Sequence, residues 1–227
     1  LYYPTSSDTL AASFVFTPAS FTNISADRAG TELAGLAPYQ AGDPASGNRY
    51  VQSGAAVATK VDLTNFYAFA DTAENIIINE AEFIIDNVES PAGTGPHSSL
   101  RFRFMDENNN FSNIKIAEDR TAFSNYHYVS EGFYYSVQAD VPSQQVPYSL
   151  ISYDSEGKRF SGYMTFFAQS LFRNKNDKEG INESRLKYIA LYPYSPVVSR
   201  SVNRTVFHKE NIKLKITYTR PTQSNPE

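Results

Sequence analysis

Glu80 and Glu82, in EAEF, stand two residues apart on one side of an alternating stretch. Strand rise sets them about 7 Å from each other. A glycosidase can use two carboxyl groups at such a separation, one as acid and one as base or nucleophile. Ala81, Phe83 and Ile85 take the opposite side, so the two glutamates belong to an outward, solvated face. Asp106 and Glu107 open DENNN, whose carboxylates and amide oxygens suit a hard cation such as calcium. The run lacks the spacing and the glycine of an EF-hand loop, and as a hairpin loop it needs no metal. His97, His127 and His208 are the three histidines, and no two have metal-ligand spacing. His97 lies in a Gly/Pro loop, His127 between tyrosines and His208 ahead of the last strand, so each reads as solvated or structural. The chain has no GxSxG elbow, P-loop or dinucleotide fingerprint. A hydrolase using Glu80, Glu82 or Asp106 is thus the least supported reading; no catalytic residue, cofactor or metal is expected.

The aromatic run SNYHYVSEGFYY is the strongest surface candidate. Tyr126, Tyr128, Tyr134 and Tyr135 offer rings with a large contact area and a polar tip, which suits a protein partner or the face of a sugar. Against a sugar platform, the chain has no Trp. Against either use, strand alternation sends part of such a run into a core.

The elements that must carry these residues read mainly as strands. NIKLKITYTR alternates Ile212, Leu214, Ile216 and Tyr218 with Lys213, Lys215, Thr217 and Thr219, a period of two that marks a half-buried strand. Its lysines would discourage edge-to-edge pairing, and Pro221 ends it. SLRFRFM sets Leu100, Phe102 and Phe104 on one face; EAEFIID, GFYYSVQAD, YSLISYD, LKYIALYP and DTLAASFVFTP are further strands. In YVQSGAAVATKVDL, Val57, Thr59, Val61 and Leu63 alternate with Ala58, Lys60 and Asp62, and the small residues of QSGAA read as a covered strand start. Two short helices are expected. LTNFYAFAD has Leu63, Phe66 and Phe69 or Ala70 at helical spacing with Thr64 as N-cap, and YMTFFAQSLFRNK has a Met164, Phe167, Leu171, Phe172 stripe. Gly/Pro-rich loops join these pieces, including ESPAGTGPHSS and VPSQQVP, and none is long enough to be a domain linker. Residues 1–227 therefore read as a single all-β domain, an antiparallel jelly-roll-like sandwich with one or two short helices.

Composition agrees. Charged residues make up 19% of the chain and aromatics 14%, a β-rich surface profile rather than that of a helical cytosolic enzyme. A net charge of −4 without a basic run argues against nucleic acid and acidic lipid as partners. There is no cysteine, hence no disulfide framework and no thiol nucleophile. No apolar run reaches the length of a membrane-spanning helix. The chain opens on Leu1 rather than Met, as expected of a processed protein or a piece of a longer one.

LYYPTSSDTLAASFVFTPASFTNISADRAGTEL, RYVQSGAAVATKVDL, INEAEFIID and NRTVFHKENIKLKITYTR follow one another in that order. Together they resemble the C-terminal half of a domain-of-unknown-function family of Bacteroidetes outer-membrane lipoproteins. Members have a Tyr-Tyr start, a Tyr-Val-Gln-Gly-like segment leading to a Thr-Lys-[Ile/Val]-Asp-Leu strand, and a terminal KLKIYYT-like strand. Ser53 stands where a glycine is usual, and Phe83 where leucine is common. The resemblance implies a β-sandwich at the cell surface, held to the outer membrane through a lipid anchor upstream of Leu1, with no catalytic residues to carry over. The triplets DTL and DTA resemble the O-glycosylation acceptor of exported Bacteroidetes proteins and make Thr9 and Thr72 candidate glycan sites. The expected function is a non-catalytic accessory subunit of an outer-membrane complex, serving nutrient uptake or outer-membrane protein assembly, with a β-barrel or another surface lipoprotein as partner. The alternative is a carbohydrate-binding module.

Overall fold

A computed structural model of the chain describes residues 2–4, 9–11, 27–91, 93–110, 114–118, 126–129, 134–135, 146–147, 150–173, 187–193 and 201–221. The strands in chain order are β1 (Tyr2–Pro4), β2 (Thr9–Ala11), β3 (Asn48–Gln52), β4 (Thr59–Asp62), β5 (Ile77–Ile85), β6 (Ser99–Met105), β7 (Ile114–Glu118), β8 (Tyr126–Val129), β9 (Tyr134–Tyr135), β10 (Val146–Pro147), β11 (Leu150–Asp154), β12 (Arg159–Tyr163), β13 (Tyr188–Pro193), β14 (Arg204–His208) and β15 (Ile212–Thr219). Two α-helices stand among them, α1 (Thr64–Thr72) and α2 (Thr165–Arg173). The expected all-β antiparallel architecture with two short helices is what forms.

Its body is a seven-stranded sheet in the order β15-β5-β12-β11-β6-β13-β4, with every neighbouring pair antiparallel. The period of two does the sorting. Phe83 sits opposite Leu214 and Gly162, Ile85 opposite Phe160 and Ile212, Ile151 opposite Leu100, and Leu191 opposite Phe102 and Thr59. One face therefore collects Ala81, Phe83, Ile85, Leu100, Phe102, Ile151, Phe160, Ile189 and Leu191, all buried. Phe83 and Phe102 meet edge to face at 4.8 Å between ring centroids.

A bulge keeps β5 in step. The β15 register passes from Thr217↔Glu80 to Tyr218↔Ile78, which leaves Asn79 as the extra residue. The parity change lets Ile78 and Ala81 both face inward and turns Ile77 out to solvent. Side chains serve the backbone and the extra residue there: Gln169 Nε2 donates to the Ile78 carbonyl at 2.6 Å, and Asn79 Nδ2 donates to Thr219 Oγ1 at 2.7 Å.

The inner face is covered by both helices and by a two-stranded ribbon of β3 and β14, whose Val51 and Phe207 join the same core. Strand β12 leads directly into α2 through Met164, whose N–H donates to the Ala81 carbonyl. Thr165 Oγ1 accepts from the Ala81 N–H at 3.1 Å, so α2 is tied to β5. Helix α1 buries Phe66 and Ala70, as its spacing predicts, and Tyr67 beside them. Its cap differs from expectation: Thr64 is the first helical residue, and the Asp62 carboxylate accepts from its N–H at 2.8 Å and its hydroxyl at 2.6 Å. An acidic group there also suits the positive end of the helix dipole. Among the described residues no helix is long and apolar enough to cross a membrane.

Candidate functional site

The two edge strands of the sheet, β15 and β4, line one cavity, although five strands separate them in hydrogen-bonded order. The sheet must therefore curl until its edges face each other. Ile212, Leu214 and Ile216 form one wall and Val61, Asp62 and Leu63 the other; Phe83 and Ile189 lie between. Helix α1 supplies Asn65, Phe66 and Phe69, and α2 supplies Phe167, Ala168 and Leu171, with Met164 just ahead of it. The cavity measures about 440 Å³, within the range of small-ligand sites. Asp62 and Asn65 are its polar lining residues, and both are exposed, which places them at the mouth. The β15 side chains point inward yet stay half-buried, because no other side chain fully covers them. Tyr218, one step further, meets Phe69 of α1 at 5.8 Å between centroids and narrows that end. Such a lining has the chemistry for holding an apolar group, and its one carboxylate, Asp62, accepts from Thr64 at the mouth.

A second buried cluster joins three chain segments. Ser53 Oγ lies 2.9 Å from His97 Nε2, and His97 Nδ1 lies 2.8 Å from Thr205 Oγ1. The row looks like a nucleophile, base and orienting group. Two facts remove that chemistry. Ser53 and Thr205 are wholly buried and His97 is 3% exposed, so no substrate carbon reaches Ser53 Oγ. The orienting group is a neutral hydroxyl, which cannot offset an imidazolium as a carboxylate does. The His97 backbone N–H also donates to Thr205 Oγ1, so one hydroxyl serves both the backbone and the ring of His97. Burial holds the imidazole down at about 4. The cluster fastens the loop carrying His97 to β14 and to the turn after β3; Asn203 Nδ2 adds a bond to the Pro96 carbonyl at 3.2 Å. QSGAA is thus no covered strand start: β3 ends at Gln52, Ser53 is buried, and the turn runs to Ala56, with Gly54 at φ 72° and Ala56 at φ 52°.

None of the remaining sequence candidates among the described residues lines the cavity or joins the His97 cluster. Glu80 and Glu82 lie on the outer face as expected, Glu82 directly opposite Lys215 and Glu80 opposite Thr217. Asp106 accepts from the Asn110 N–H at 2.8 Å and from Asn110 Nδ2 at 3.3 Å, and the backbone bond above all holds its carboxyl below the usual range. Lys60 Nζ reaches Asn109 Oδ1 at 2.6 Å, so an ammonium already serves the amide oxygen offered to a cation. Among the described residues no three metal-ligating side chains converge. His208, at the end of β14, accepts from the Glu210 N–H through Nδ1 at 3.4 Å. Thr72 is exposed at the end of α1 and donates to the Phe69 carbonyl at 2.9 Å. The side chains of Tyr126, Tyr128, Tyr134, Tyr135, His127 and Thr9 lie outside the described residues; their backbones belong to β8, β9 and β2.

Sequence reasoning missed the cavity. Its walls were legible separately, as the stripes of α1 and α2 and the alternation of β15, but nothing local says that these surfaces meet around a hollow. No protein-family model, no curated protein and no solved structure matches the chain.

Proposed function

We propose that the chain is a non-catalytic interaction module of the bacterial cell surface, acting as an accessory subunit of an outer-membrane protein complex in nutrient uptake or outer-membrane protein assembly. The observation that carries this reading is the apolar cavity between the two unjoined edges of the curled sheet. Thirteen apolar side chains against two polar ones at the mouth favour retention of a partner's apolar group over its conversion. The location and the upstream lipid anchor come from the resemblance of the ordered segments to outer-membrane lipoproteins. The test is a pull-down of the native protein from gently solubilised membranes, followed by mass spectrometry of the intact complex. Outer-membrane barrel subunits in fixed stoichiometry are expected; a protein that comes down alone overturns the reading.

A further inference from the structure

The backbone of β15 shows which of its groups reach the edge that no other strand pairs with among the described residues. The Asp86 N–H donates to the Asn211 carbonyl at 3.1 Å, one step beyond the Ile212↔Ile85 pair and in the same register. An antiparallel ladder alternates bonded and non-bonded pairs. Lys213, Lys215 and Thr217 therefore exchange hydrogen bonds with β5. Leu214 and Ile216 turn their N–H and C=O groups away from β5, toward the gap that faces β4; Ile212 turns the same way, but its N–H already donates to the Lys209 carbonyl. These are the residues whose side chains line the cavity. The gap thus offers a row of backbone donors and acceptors, about 7 Å apart at successive edge-facing residues and about 13 Å from the first to the last, with an apolar hollow directly behind.

We propose that this edge receives an extended peptide segment of a partner protein as an added strand, its alternate apolar side chains seated in the cavity. The inference rests on the reading of the chain as an interaction module and names its binding mode. Two observations select a peptide. An acyl chain would fill the hollow but leave the edge N–H and C=O groups without partners, whereas a strand satisfies them and fills the hollow with every second residue. A second copy of β15 is disfavoured, because its lysines would meet Lys213 and Lys215 across the pair. Lys213 is engaged with Asp86 at 2.8 Å. Lys215, in the middle of the edge, sets the outward preference: an acidic or hydroxyl side chain between the apolar positions of the partner.

The probe is the peptide acetyl-Thr-Val-Glu-Ile-Thr-Val-Thr-amide, titrated calorimetrically into the full chain, with amide hydrogen exchange followed by NMR. In the free chain the amides of Leu214 and Ile216 should exchange quickly and those of Lys213, Lys215 and Thr217 slowly. Peptide should slow the first set at least tenfold. A168L, which fills the hollow from α2 without touching the β15 edge, should weaken binding at least tenfold while the thermal melt shows an intact fold. Slow exchange of the first set in the free chain overturns the proposal, since the chain then covers its own edge. Binding without protection of those amides overturns it too, as does cavity binding of 1-dodecanol with a silent peptide titration. Barrel subunits recovered from membranes alongside a silent peptide titration sink strand addition alone; the loss of both sinks the broader reading with it.

Discussion

His97 makes the chain sensitive to mild acid, and the size of the effect follows from its surroundings. The ring is 3% exposed, and both nitrogens face neutral hydroxyls, those of Ser53 and Thr205. Desolvation is the cause that lowers its pKa from 6.5 to about 4. The folded value lies below the unfolded one, so the folded chain binds fewer protons between them. The stabilisation is complete above pH 6.5 and is lost as pH falls toward 4, at about 1.4 kcal/mol per pH unit and roughly 3 kcal/mol in all. The assay is urea unfolding at pH 7.5, 6.5, 5.5 and 4.5 for the native chain and for H97Q, which keeps a polar side chain of similar reach. The rest of the chain is the same in both proteins, so its contribution cancels in the difference. The native chain should lose about 2–3 kcal/mol more than H97Q between pH 6.5 and 4.5. Parallel curves would refute the reasoning: His97 would then be open to water or paired with a charge when protonated.

Gly162 tolerates no side chain, because a methyl there would lie 2.6 Å from the Leu150 carbonyl oxygen and 3.0 Å from Ile151 Cγ2; G162A should cost about 1–3 kcal/mol in denaturant unfolding. Asp62→Ala removes the acceptor of the Thr64 N–H and should cost about 1 kcal/mol, with Asp62→Asn recovering most of it by the same measurement. Replacing Glu80 and Glu82 together by Ala should change stability by less than about 1 kcal/mol, because both lie half-buried on the outer face, opposite Thr217 and Lys215; a large loss would show that this face is covered.

The strands that the sequence made legible are those with a uniform inner side. In β15 and β6 large apolar residues recur at every second position, and β5 keeps the same alternation from Ala81 to Ile85. Strand β12 was not legible, because its inward positions are Phe160 and Gly162, one large and one absent, and no alternation survives that pair. Strand β14 hid for another reason: its inward Thr205 is polar, and it is buried only because His97, more than a hundred residues away, supplies its partner. The same remote pairing explains Ser53 in a turn that reads as bland.

Periodicity reports which side of a strand avoids water; whether anything packs there is a separate question. Phe83 and Leu214 sit opposite each other on one face, and their alternation patterns are equally clean. Phe83 is 3% exposed, while Leu214 stays half-buried over the cavity. The difference lies in strand order: β5 has neighbours on both sides, and β15 has β5 alone among the described residues. An edge strand with an apolar inner side ordinarily needs a lid or a short length to stay out of unwanted pairing. β15 is eight residues long and keeps lysines on its outer face. Charges on one face with an open apolar hollow behind the other discourage self-pairing and leave room for a chosen partner, so the pattern of Ile212–Thr219 is better explained by selective strand addition than by core packing alone.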